Sequence, residues 1–222
     1  MKVMKNMSLL KRAWKTTLGA TCLAMSLIAT TLGSPQQRQG KLWNLYYPLA
    51  KNNTWRYTLT HESANKTQEF VTWKVLNLSS NSKGTVFAVW PTPTDSDDDG
   101  MQLQFTDEGL KELSNDFYVL RFPIAKGSTW SADRHNRVFT VLSEGEPCTI
   151  GKHSFRECAV IQDDDHEAKL RTTTTYAFGA GPVRYEYRRL QDGQAQSQVT
   201  QTMEMVSYSV KPIPARGPKD KP

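Results

Sequence analysis

Tyr47-Pro48-Leu49-Ala50-Lys51-Asn52-Asn53-Thr54-Trp55 returns 75 residues later as Phe122-Pro123-Ile124-Ala125-Lys126-Gly127-Ser128-Thr129-Trp130. Both copies read aromatic, Pro, aliphatic, Ala, Lys, two turn formers, Thr, Trp. Proline fixes an extended or turn conformation and removes a backbone donor, and Asn-Asn or Gly-Ser supplies the turn. The first copy runs into Thr54-Trp55-Arg56-Tyr57-Thr58-Leu59-Thr60, an alternation of large and polar residues that reads as a strand. Self-similarity at a long period means repeated supersecondary units that pack on one another.

Working outward, strands are expected at 70–78, 85–90 and 101–105 in the first half, and 117–122 leads into the second phrase. In the second half they are expected at 137–142, 155–161, 170–178, 183–190 and 199–210. Short hairpin arms at Cys148-Thr149-Ile150 and a strand beginning at Trp130 complete the set. In 183–190, Val183, Tyr185 and Tyr187 take one face and Arg184, Glu186 and Arg188 the other. Thr106–Gly109 reads as a turn, or as the start of a short helix running into Leu110-Lys111-Glu112-Leu113. Ser143–Pro147 reads as a break, and Asp163-Asp164-Asp165-His166-Glu167 as an acidic loop. The expected fold is all-β with minor helix. Duplicated antiparallel units, about 42–115 and 116–190 with a last strand at 199–210, would form a curved sheet or half-open barrel.

The ends of the 222-residue chain differ from its body. Residues 1–15 carry Lys2, Lys5, Lys11, Arg12 and Lys15 and no acid, and 16–33 are uncharged and apolar in the middle. This is the pattern of a secretory signal over 1–34. An uncleaved anchor is the competing reading, because the apolar run can just span a bilayer; only then is membrane association expected. Cys22 lacks the surroundings of a lipidation site. Removing the leader's five basic residues from the 28 leaves 23 against 22 acids, so the overall +6 falls to +1. The Pro-rich tail 211–222 is +3 and expected to be disordered. The body 35–210 is then about −2, which gives no support for nucleic-acid binding.

Two cysteines remain beyond the leader. An exported chain with one pair points to a Cys148–Cys158 disulfide, with two buried thiols as the alternative. A three- or five-residue loop would set them directly opposite across a hairpin, and a two-residue Gly151-Lys152 turn would set them out of register. Asp95, Asp97 and Asp99 sit in D-x-D-x-D-G, the first half of a calcium loop, but Thr106 stands where the closing Glu should be. Ca2+ is thus the one cofactor worth weighing against a solvated acidic turn. His61, His135, His153 and His166 have no metal spacing, and no nucleophile or phosphate-loop motif occurs. No catalytic residue is assigned and no enzyme is expected. Trp55, Trp73, Trp90 and Trp130 are either core or the lining of an apolar cleft.

The two phrases resemble the "FPLKxGNxWxY" signature of a group of bacterial exported proteins and lipoproteins. There the second phrase is followed by a "VxAGxFxxC" hairpin and a "YAxGVGxV" turn. Here those places hold Cys148–Cys158 and Tyr176-Ala177-Phe178-Gly179-Ala180-Gly181-Pro182-Val183. The resemblance covers about 45–187; it departs at Asn52, where the group has Gly, and at Cys148. It implies a β-rich fold like the open barrels of lipoprotein carriers, and no catalytic residue. The functional expectation is a non-catalytic exported binding or cell-envelope assembly module, periplasmic or extracellular, with an envelope protein or an apolar ligand as its partner. The alternatives are a periplasmic carrier of a lipid or other apolar ligand and, third, a hydrolase.

Overall fold

The alternation that starts at Trp55 needs an extended chain with one dry face, and the structure provides it. In the computed structural model, residues 43–62, 67–92, 100–132, 136–191 and 194–211 are described. One helical turn, α1 (Trp43–Tyr46), precedes the first phrase. Six strands start from the end of that phrase: β1 (Thr54–His61), β2 (Thr67–Asn81), β3 (Gly84–Thr92), β4 (Met101–Phe105), β5 (Gly109–Glu112) and β6 (Phe117–Arg121). Six more start from the end of the second: β7 (Thr129–Ala132), β8 (Arg137–Ile150), β9 (His153–Asp165), β10 (Leu170–Ala177), β11 (Gly181–Gln191) and β12 (Gln194–Ser209).

All twelve strands share one antiparallel sheet, ordered β6-β5-β4-β3-β2-β1-β12-β11-β10-β9-β8-β7. Each meander pairs strand to next strand, and β1 pairs with β12 from Thr54↔Ser209 to His61↔Gln201. The result is a nearly closed, barrel-like sheet whose two edges, β6 and β7, meet at a seam. Trp130 on β7 donates its indole N–H to the Tyr118 carbonyl of β6 at 2.8 Å. The Phe117 ring of β6 stacks on Phe139 of β8. A side chain therefore occupies an edge acceptor that another strand would otherwise use. The all-β expectation holds.

The two phrases make the same backbone bonds. Asn52 N–H donates to Val75 O, Val75 N–H to Asn53 O, and Asn53 N–H to Ala50 O, each at 2.9 Å. Gly127 N–H donates to Val141 O, Val141 N–H to Ser128 O, and Ser128 N–H to Ala125 O, at 2.8–2.9 Å. Asn52 (φ 71°) and Gly127 (φ 84°) both take the left-handed conformation this turn requires. Asn tolerates that region better than other non-glycine residues, so Asn52 can stand where a Gly is usual.

The dry face is one continuous core. Residues opposite each other in an antiparallel pair share a face. Trp55 faces Trp73, Tyr57 faces Val71 and Met205, and Val89 faces Val75 and Met101. Tyr47 and Leu49 of the first phrase close one end of this core. The buried Asn53 holds them there: its Nδ2 donates to Pro48 O at 2.6 Å and its Oδ1 accepts from Lys211 N–H at 3.0 Å. Gly181 (φ 99°) is needed beside them, because a Cβ there would lie 2.9 Å from Trp55 Nε1 and 3.3 Å from Pro48 Cδ.

Three readings of the sequence are corrected. Gly109–Glu112 is strand β5, neither turn nor helix; Leu110 points into the core, and Glu112 accepts from Ser114 N–H and Asn115 N–H, closing the next turn. Ser143–Pro147 does not break the chain; β8 runs through it with register shifts between Val141 and Cys148. Asp163–Asp165 is the end of β9, not a loop. Arg137 of β8 pairs with Asp163 and Asp165, and Arg171 of β10 pairs with Asp164.

Candidate functional site

The four tryptophans do not form one cleft. Trp55 is fully buried and donates to Ala180 O at 2.5 Å, with Tyr47 edge-on at 5.6 Å. Trp130 is stacked on Phe139 at 5.3 Å and pinned at the seam. Trp73 shares the inward face with Trp55 and is half-buried. Trp90 faces the other way: it follows the inward Val89, lies opposite Lys74, and is covered by Gly100. The indole N–H groups of Trp73 and Trp90 have no hydrogen-bond partner among the described residues.

The end of the sheet that carries the phrases is plugged. The β8–β9 hairpin bends over it, its tip residue Ile150 buried in the core. His153 at the same tip bonds the Val206 carbonyl of β12 at 3.0 Å. Cys148 and Cys158 are bridged across this hairpin, with Cα atoms 6.0 Å apart. The turn is the two-residue Gly151-Lys152 form, and the cysteines are out of register, Cys148 opposite Phe155 and Cys158 opposite Glu146. The register shift at Pro147 sets them diagonally within disulfide reach. Beside the hairpin, Tyr46 donates to Glu157 at 3.0 Å. Burial first, and then that carboxylate, raise the Tyr46 phenol well above its ordinary range. A cavity of about 380 Å³ lies here, walled by Tyr46, Phe122, Pro123, Ile124, Glu144 and Glu157.

The opposite end is different, and the inward face explains how. Along β1 the inward residues run Trp55, Tyr57, Leu59, His61. Along β12 they run Met205, Met203, Gln201, and along β11 Val183, Tyr185, Tyr187. Each series passes from buried apolar to polar in the same direction. Beyond the core, the polar members open into a cavity of about 960 Å³. Its walls are His61, Thr67 and Glu69 from β1 and β2, Tyr187 and Arg189 from β11, and Gln196, Gln198 and Gln201 from β12.

The lining is prearranged. His61 Nδ1 and Gln201 Nε2 are 2.9 Å apart, and His61 Nε2 lies 3.4 Å from Glu69 Oε1. Both ring nitrogens of His61 are thus engaged, Nδ1 by the amide of Gln201 on β12 and Nε2 facing the Glu69 carboxylate of β2. Tyr187 lies parallel to Tyr185, ring centroids 6.4 Å apart. Burial pushes its phenol up to about 12, so it stays protonated and able to donate at neutral pH. Sequence reasoning missed this mouth, since amides and hydroxyls form no motif. The signal present was Gln194-x-Gln196-x-Gln198, an amide on every second residue of a strand.

No group of three metal-ligating side chains occurs among the described residues. Asp95, Asp97 and Asp99 lie outside them. Asp163, in the second acidic run, is engaged by Arg137, whose guanidinium also lies 4.3 Å above the Phe117 ring. Desolvation nonetheless raises the Asp163 carboxyl above the ordinary range, outweighing the opposing pull of Arg137.

No protein-family model matches the chain, and no curated protein is similar to it. Among solved structures, it is similar to a candidate exported protein with a YmcC-like fold from Bacteroides fragilis. That match has a TM-score of 0.38 at 8% identity over 72% of this chain and 96% of the other. A candidate lipoprotein from Parabacteroides distasonis gives a TM-score of 0.32 at 9% identity, over 74% and 98%. Similarities this low assign no function.

Proposed function

We propose that this chain is an exported, non-catalytic binding module, built by duplication of a six-strand unit, that takes its ligand at the polar mouth. The observation that carries the reading is the gradient along the inward face: one end of the sheet is packed and plugged, the other opens polar. The matched hydrogen bonds of the two phrases support the duplication. Export is supported by the basic-then-apolar leader and by a bridged cysteine pair. The signature group of exported proteins and lipoproteins fits the same reading.

The apolar carrier is the second reading. It needs tryptophans facing an empty apolar space, whereas Trp55 and Trp130 are packed and hydrogen-bonded. The 960 Å³ space is lined by amides, hydroxyls and charges instead. A hydrolase would need a nucleophile held by a base. Among the described residues the mouth offers His61 bonded to Gln201 and Glu69, with no hydroxyl or thiol nucleophile joined to them.

Native mass spectrometry of the full chain, expressed with its leader in a bacterial host and recovered from the periplasm, tests the proposal. The expected species lacks about the first 34 residues, is lighter by two hydrogens, and carries no lipid. A full-length, membrane-bound mass would overturn cleaved export. A stoichiometric lipid would transfer the case to the carrier.

A further inference from the structure

We infer that the polar mouth binds a neutral, hydroxyl-rich chain: a glycan segment. The inference rests on the binding-module reading and names its ligand class. Three facts about the wall carry it. First, Gln196, Gln198, Gln201 and Thr67 present groups that both donate and accept, from two strands that converge on one cavity. Vicinal hydroxyls need that pairing, since each hydroxyl is itself donor and acceptor. Second, the net charge is small, with Glu62 and Glu69 against Arg189 and with Glu69 already facing the His61 ring. An anionic polymer would meet two carboxylates for one guanidinium, and a polycation would meet Arg189. Third, among the described residues Leu170 is the one aliphatic side chain on the wall. Peptide ligands bind through buried aromatic and aliphatic anchors in pockets, and this wall offers them little purchase.

Tyr187 adds a platform. Its ring is held parallel to Tyr185, so its orientation is set before any ligand arrives. The negative face of an aromatic ring suits the C–H face of a sugar, while the hydroxyl edge turns to the amides. The volume sits at the upper end of the range for small-molecule sites, which fits more than one ring.

The test uses the leader-free chain with its disulfide intact. Maltohexaose, cellohexaose and N-acetylchitohexaose are titrated in turn while backbone amide shifts are followed by NMR. A heparin hexasaccharide and a mixed-sequence decapeptide are the contrasting probes. The expected result is saturable shifts at His61, Tyr187 and Gln196–Gln201 with at least one neutral hexasaccharide. Q196A/Q198A, two exposed positions, should weaken that binding at least fivefold with an unchanged melting temperature. Glu144→Gln at the plugged end should leave it intact. Shifts at the mouth with heparin or the decapeptide alone would overturn the assignment to a neutral glycan and leave the module standing. Silence at the mouth with every probe would overturn both. Binding that is unaffected by Q196A/Q198A would overturn the assignment to this wall.

Discussion

Replacing Trp55 by Phe should cost about 2–4 kcal/mol. The side chain is fully buried, and its indole N–H is the partner of the buried Ala180 carbonyl at 2.5 Å. Phe keeps one ring, and the lost apolar surface, on the order of 40 Å², is worth about 1 kcal/mol at ~25 cal per Å². Leaving a buried carbonyl without its donor adds about 1–3 kcal/mol. For a domain of this size that sum lowers Tm by about 4–16 °C. Trp90→Phe is the internal comparison. Trp90 lies on the outward face, half-buried, and its N–H has no partner among the described residues, so the change should stay under about 1 kcal/mol. Urea unfolding followed by far-ultraviolet circular dichroism measures both, independently of tryptophan emission. Equal losses for the two variants, or a Trp55→Phe loss under about 0.5 kcal/mol, would refute the assignment of inward and outward faces.

The plugged end and the acidic end of β9 give two further expected outcomes. Reducing Cys148–Cys158, or replacing both by Ala, should lower stability by about 2–3 kcal/mol, the chain-entropy value for so short a loop. Hydrogen exchange should rise first at Ile150–Phe155; uniform loosening of the whole sheet would contradict a local staple. Asp163 has a raised carboxyl, so folding favours its protonated form. Its favourable contribution is present below the unfolded-state pKa, about 3.9, and is lost as pH rises through the higher folded-state value. Asp163→Asn should therefore remove a fall in stability that the parent shows on leaving the acid side of that window. Removal of a rise in stability across that window would show that Arg137 pairing, and not desolvation, dominates there, and an unchanged pH–stability profile from pH 3 to 7 would show that the two cancel.

Much of this fold was legible because short-range alternation sets which face of a strand is dry. Trp55-Tyr57-Leu59 and Val183-Tyr185-Tyr187 announce their inward faces without any knowledge of their partners. Where reading failed, the deciding partner was distant in sequence. Leu110 and Leu113 have helical spacing, but Gly109–Glu112 pairs with β4 and β6, and the ladder overrides the local preference. Three consecutive aspartates suggest a solvated loop until Arg137 and Arg171 arrive from the flanking strands. The Ser143–Pro147 segment contains break-forming residues, and bulges absorb them without ending the strand. The mouth was hidden for the same reason, because its wall is assembled from five strands, β1, β2, β10, β11 and β12, and the two groups meet only through the long-range β1–β12 pairing.

The seam between β6 and β7 also bears on how the chain gets there. Among the described residues, ten of the eleven strand pairings join neighbours in sequence, and β1–β12 alone bridges Thr54 to Ser209. Ten hairpins can zip locally, and the entropy of closing one very long loop falls on a single step. A circular permutant that links β12 to β1 and opens the chain near Gly127 would convert that step into one more hairpin. Its contact order would drop while every ladder in the sheet stayed the same.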